Sequence, residues 1–305
     1  MDPFLIAVLS NIGMISFLGL SAYVLLLTGG ISFGQQAFFG IGAYAAGIAT
    51  AIWGWPLWMG LAHGAAVGAL ACAALGAATL RLGGLHFAVA TLAFAEMMRL
   101  LLGMWRWQVD IAGRLVGPAG TDGFRDIRYI FANGISEMQY FILIWLLLAA
   151  AVVLLMLFER TRTGMVWRMI GKDAELARML GVDVVRHRIA AAALAGALAG
   201  VGGALYAHLS TYIEPGMFDP MLGIHGLAYG IIGGLGTPLG PLLGVVVDIG
   251  ILESSRLFSG YRMIVFGGLV AVILVWRPRG LLDEAFVRRL RGWRPFRSTL
   301  EEKGR

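Results

Sequence analysis

The chain has 305 residues, 59% of them apolar and 14% charged, with a mean hydropathy of +0.79. A soluble domain carries about 25% charged residues, so this composition excludes an ordinary soluble enzyme or binding module and points to a polytopic all-α membrane protein. The net charge of +6 is not a nucleic-acid signal, because the basic residues sit beside apolar runs, where a membrane surface accounts for them. Forty-four glycines fit close helix packing in lipid. The single cysteine, Cys72, excludes an intrachain disulfide and a metal site built from cysteines.

Met1-Asp2-Pro3-Phe4 has no basic leader, and the apolar run behind it reads as a first span rather than a removed signal peptide. Runs long enough to cross hydrocarbon, which takes about 20 residues, fall at 4–27, 31–52, 57–80, 84–104, 138–158 and 189–211. Between the first two, Thr28-Gly29-Gly30 and Ser32-Phe33-Gly34-Gln35-Gln36 interrupt the pattern. The interruption admits two readings, a tight turn between spans or a broken helix in which Ser32, Gln35 and Gln36 line a translocation route.

Within 84–104, Glu96 and Arg99 are three residues apart and share a helix face. They suit a structural ion pair or subunit contact near the outer end, or, through Glu96, a place in the route. The loop 105–137 carries Trp105, Trp107 and the Gly-rich run Gly117 to Gly123. It reads as an insertion or as a docking surface for a soluble protein. His63, His86, His208 and His225 share no metal-ligand spacing and are expected to be packing residues.

The most polar stretch is 159–188, with seven Lys/Arg and four Asp/Glu. It cannot lie in hydrocarbon and must be a water-side loop. Lys172 to Leu180 contains strong helix formers and no Pro, with Gly181 as its C-cap, which predicts one short amphipathic helix over 172–180. Ile170, Ala174, Ala177 and Gly181 fall on one stripe, with Met169, Leu176 and Leu180 close by. Such a helix is either a docking piece or a segment lying on lipid.

The stretch 222–252 is broken by Gly233-Gly234-Leu235-Gly236-Thr237-Pro238, and a short span at 263–276 precedes a basic tail, 277–305. If 159–188, Arg81 and the tail share one side, that side holds 17 of the 24 basic residues, which makes it cytoplasmic. Parity then requires 222–252 to be two short crossings or a re-entrant hairpin. About nine crossings result, with the N-terminus outside and the C-terminus cytoplasmic. Gly29, Gly30 and Gly40 overlie Gly233, Gly234 and Gly244 at a constant offset of 204, a faint internal repeat. Asp248 is intramembrane with no obvious local partner. The expected organisation is a single transmembrane domain: helices 4–158, loop 159–188, helices 189–276, tail 277–305.

The blocks L-L-L-T-G-G-I-S-F-G-Q-Q-A-F-F-G, H-F-A-V-A-T-L-A-F-A-E-M-M-R, T-G-M-V-W-R-M-I-G-K-D-A-E-L-A-R-M-L-G-V-D, A-G-A-L-A-G-V-G-G-A-L-Y-A-H, G-G-L-G-T-P-L-G-P-L-L-G and W-R-P-R-G-L-L resemble, in order, the permease subunits of high-affinity branched-chain amino-acid importers of the ATP-binding-cassette class. Urea and amide permeases of the same superfamily share most of these blocks. Glu175-Leu176-Ala177 followed by Gly181 is similar to the loop by which such permeases seat on their ATPase, with Leu176 where the family pattern has Ala. The resemblance implies a second, homologous permease subunit in a heterodimer, two cytoplasmic ATPase subunits, a periplasmic binding protein and a place in a bacterial inner membrane. It assigns Lys172, Asp173, Glu175, Ala177, Arg178 and Gly181 to the coupling loop, while the broken helices and the internal repeat place both broken stretches, with Gly233 and Gly234, along the route. The chain lacks G-x-x-x-x-G-K-[ST], so ATP is expected on a partner and no cofactor or metal on this chain. A stand-alone transporter or channel is the alternative, and it typically needs more intramembrane carboxylates than Glu96 and Asp248 supply.

Overall fold

The computed structural model describes residues 3–79, 84–111, 113–253, 261–277 and 280–282. Arg81, Arg256 and the basic tail beyond Leu282 lie outside the described residues. Among the described residues there are twelve α-helices: α1 (Pro3–Leu27), α2 (Gln35–Ala51), α3 (Leu57–Thr79), α4 (Leu85–Met104), α5 (Tyr129–Ala132), α6 (Glu137–Phe158), α7 (Arg162–Lys172), α8 (Ala174–Met179), α9 (Val184–Ser210), α10 (Pro220–Gly233), α11 (Leu239–Val245) and α12 (Arg262–Trp276). Helices α1, α3, α4, α6 and α9 are long and apolar enough to cross a membrane. Helices α2, α10, α11 with its π-helical continuation Val246–Glu253, and α12 are shorter and run among them.

Helix α9 is the centre, packed against α1, α2 and α3. Lipid tails are as apolar as leucine, so association relies on close van der Waals contact, and small residues permit it. A Cβ on Gly42 would lie 2.3 Å from the Gly200 Cα, and one on Gly196 would lie 2.2 Å from the Gly68 carbonyl oxygen. Helix α3 buries Gly60, Gly64, Gly68, Cys72 and Gly76, every fourth residue, and leaves the rest of its surface partly buried or exposed. Helix α6 likewise buries one stripe, Tyr140, Ile144, Leu148, Val152 and Leu155.

Successive long helices alternate between two faces. On one face lie the start of α1, the 105–137 loop and the 3₁₀ turn Pro215–Phe218. On the other lie α7, α8, the turn after α1, the turn after α10 and the last described residues, 280–282, which bond to Ile232, Gly233 and Gly236. The stretch 222–252 is two helices joined by a turn at 234–238.

The 105–137 loop is not purely helical or irregular. It holds a three-stranded antiparallel sheet in the order β1 (Val109–Ile111), β2 (Arg114–Pro118), β3 (Phe124–Arg125). Register pairs Asp110 with Leu115 and Pro118 with Phe124. Gly117, at φ +139°, is forced, since a Cβ there would stand 2.2 Å from the Trp107 carbonyl oxygen. Phe124 exchanges both backbone hydrogen bonds with Ile213 just past α9, at 2.7 and 3.0 Å, so the loop is fastened to the bundle.

Candidate functional site

The 159–188 loop contains two helices rather than the single helix expected over 172–180. Asp173 ends α7 and starts α8: in extended conformation, its carboxylate accepts from the backbone N–H of Glu175 (3.0 Å) and of Leu176 (2.9 Å). An aspartate in that role competes with helix continuation, which the string of strong helix formers conceals. Lys172 therefore closes α7 and does not belong to α8. At the other end, Gly181 (φ +82°) donates to the Arg178 carbonyl and Val182 to that of Ala177, the paired bonds of a glycine-terminated helix.

Ala177 and Ile170 are buried with Val184 in a small core of their own. Leu176 and Leu180 depart from the expected stripe. Together with Met179 they are exposed by 50%, 66% and 83%. Glu175 and Arg178 form an exposed ion pair beside this apolar ridge.

Helix α7 touches both glycine turns. A Cβ on Gly171 would lie 2.3 Å from the Leu27 carbonyl oxygen and 3.2 Å from the Gly29 nitrogen, so backbone meets backbone. From the same helix Arg168 donates to Glu159 Oε2 (2.9 Å), to the Tyr23 hydroxyl (3.2 Å) and to the Leu235 carbonyl (3.0 Å). The Tyr23 hydroxyl also donates to Glu159 Oε1. Arg168 and Glu159 side chains are only 19% and 12% exposed. One planar cation with several fixed donors thus joins α1, α6, α7 and the 234–238 turn. Neither Arg168 nor Tyr23 stands out in the sequence, and the only available signal is an arginine inside the amphipathic helix α7.

The expected route residues fall in three places. Ser32, Gln35 and Gln36 are fully buried near the start of α2. Gln35 donates to Ser32 Oγ (3.2 Å), the Ser21 hydroxyl lies between the Gln35 amide oxygen and the Ala195 carbonyl (2.7 Å to the latter), and the Phe33 nitrogen donates to Thr91 Oγ1 (3.1 Å). The Gln36 amide, 0% exposed, has neither its nitrogen nor its oxygen hydrogen-bonded among the described residues. Glu96 pairs with Arg99 (Nε to Oε2 2.8 Å) on a partly exposed face of α4. Gly233 and Gly234 lie at the α7 face, where Gly233 packs on the Gly240 backbone. The structure does not bring Glu96 to either glutamine or to these glycines.

Asp248 does have partners, distant in sequence: His225 Nδ1 at 3.1 Å and the Tyr229 hydroxyl at 2.7 Å. His208 is a packing residue, bonded to Thr50 Oγ1 and the Ala204 carbonyl.

A bundle of apolar helices, five of them long enough to span a membrane, with a strand-bearing loop on one face and a charged helical loop on the other, defines a multi-pass membrane transport subunit. The family model described as the branched-chain amino acid transport system permease component matches residues 4–275, and the chain belongs to that family. It is 30% identical over 300 residues to the high-affinity branched-chain amino acid transport system permease protein LivM of Salmonella typhimurium, covering 91% of this chain and 69% of the relative. The Escherichia coli LivM is 29% identical over the same shares. The nucleoside ABC transporter permease protein NupC of Lactococcus lactis is 27% identical over 49% of this chain and 48% of its own. No solved structure matches the chain.

Proposed function

We propose that this permease subunit carries branched-chain amino acids through a bacterial inner membrane, with α7 and α8 in the cytoplasm and the start of α1 outside. Two ATPase subunits supply the energy, a second homologous permease completes the membrane unit, and a periplasmic binding protein delivers cargo to the sheet-bearing loop. ATP is bound by the ATPase subunits. The names of the LivM relatives support the cargo, and urea, amide or nucleoside cargo is the alternative within the superfamily.

One observation carries the coupling reading. The ridge Leu176, Met179 and Leu180 is exposed on a helix fastened to the bundle through Ala177. Exposed large apolar groups clustered on a charged loop mark a protein contact. Through Gly171 and Arg168, movement of that helix reaches both glycine turns, so closure of the ATPase pair shifts α1, α2, α10 and α11 together. Only contacts that differ between the two transport states can perform this work.

The test is ATP-driven uptake of leucine into proteoliposomes containing the assembled importer. Substituting Glu175 and Gly181 together is expected to abolish uptake while membrane insertion persists. Undiminished uptake in that variant, or uptake with no ATPase present, overturns the reading.

A further inference from the structure

A cavity of about 210 Å³ lies between α1, α2, α9, α10 and the π-helical stretch, beneath the 3₁₀ turn 215–218. By liquid volume it holds roughly seven waters, the scale of a small amino acid and below that of a drug-sized ligand. Its apolar wall includes Ile15, Leu222 and Ile249, and its aromatic wall includes Phe39 and Phe218.

His225 gives this cavity its polarity. Nδ1–H donates to the Asp248 carboxylate, which is fully buried and also accepts from Tyr229, and the ring packs against Phe266 at 4.7 Å. A carboxylate at Nδ1 selects the tautomer in which a neutral imidazole carries its lone pair on Nε2. Among the described residues Nε2 takes no hydrogen bond, and His225 lines the cavity. Asn11 adds a side-chain amide to the lining, and among the described residues that form it there is no Lys or Arg.

Aromatic faces and lone pairs make a receptor for positive charge. The π-helical geometry that presents Asp248 is rare and is found mostly at functional sites. The orphaned Gln36 amide lies one turn from Phe39 and against Gly223, next to Leu222, so the same helix pair carries a second polar group awaiting a partner.

We propose that this cavity is a cargo subsite in which His225 Nε2, held by Asp248, accepts a hydrogen bond from the α-ammonium group of an aliphatic amino acid whose branched side chain lies against Ile15, Leu222 and Ile249. The assignment rests on the amino-acid importer reading and deepens it.

Binding is tested separately from transport. The full chain, labelled with ¹⁵N-histidine and held in lipid nanodiscs, is titrated with L-leucine, with isopentylamine and with 4-methylpentanoate. His225→Gln identifies the His225 signal by its loss. Leucine and isopentylamine are expected to shift the Nε2 resonance, and 4-methylpentanoate, which lacks the ammonium group, to leave it in place. No shift with either amine, or an equal shift with the carboxylate, overturns the proposal. In the assembled importer, His225→Gln and Asp248→Asn are each expected to lower leucine uptake at least tenfold with unfolding temperature and ATPase association retained. Wild-type uptake at full rate in a folded His225→Gln importer also overturns it. Failure of the wild-type importer to take up leucine would instead overturn the cargo reading, and the nanodisc titration would still judge the site.

Discussion

Arg168 Nη1 lies 3.0 Å from the carbonyl oxygen of Leu235, although the two residues are separated by the last turn of α7 and all of α8, α9 and α10. The same guanidinium holds Glu159, so the charged loop and the second glycine turn share one cation.

Replacing Arg168 by Met strands Glu159. Breaking one partner from a buried ion pair costs about 3–5 kcal/mol, and both side chains are under one fifth exposed. A fall in detergent unfolding temperature is expected, together with loss of ATP-driven uptake. Adding Glu159→Leu removes the stranded carboxylate, so stability should recover while uptake does not. Equal recovery of both would make the cluster merely structural.

Gly171→Ala forces α7 away from the end of α1, because the new methyl group meets the Leu27 carbonyl at 2.3 Å. Overpacking of this kind costs about 1–3 kcal/mol. Gly267→Ala on α12, with nothing within 4 Å of the added carbon, is the matched control and is expected to leave unfolding temperature unchanged. Thermal unfolding of the two variants in one detergent compares them directly.

The ridge on α8 can be removed without touching the core. Changing Leu176, Met179 and Leu180 together to Ser deletes side chains that are each half or more exposed, so the fold should tolerate it. Each such side chain, if buried by a partner, contributes about 1.5–3 kcal/mol. ATPase affinity should then fall at least a hundredfold, since every 1.4 kcal/mol is a factor of ten. Co-elution and titration with the ATPase subunit measure this.

Within α8 the cap outweighs the ion pair. Asp173→Ala should cost about 1 kcal/mol, the usual loss for a helix N-cap, whereas Glu175→Gln breaks an exposed pair worth roughly 0.2–1 kcal/mol. Hydrogen exchange of the amides from Glu175 to Val182 reports both. Faster exchange in Glu175→Gln than in Asp173→Ala would reverse the ranking.

The long spans and the charged loop were readable from composition, because hydrocarbon imposes length and excludes charge. The breakers at 233–238 marked the turn that separates α10 from α11. What sequence concealed was set by contacts between distant segments. Asp173 reads as helix in a window of strong formers, and its extended backbone shows only once the N–H groups of Glu175 and Leu176 are placed. Asp248 finds His225 23 positions away because the turn at 234–238 folds α11 back onto α10. The strands in 105–125 are short and carry no long alternation. Their pairing depends on Gly117 and on the bond between Phe124 and Ile213.

At the junction of Gly171 with Leu27 and Gly29, main chain rests on main chain with no side chain between. Side chains absorb small displacements by changing rotamer, and a peptide group has no such slack. At this junction a displacement of α7 meets the first glycine turn through backbone alone. The absence of a methyl group at one position is what gives this joint its stiffness.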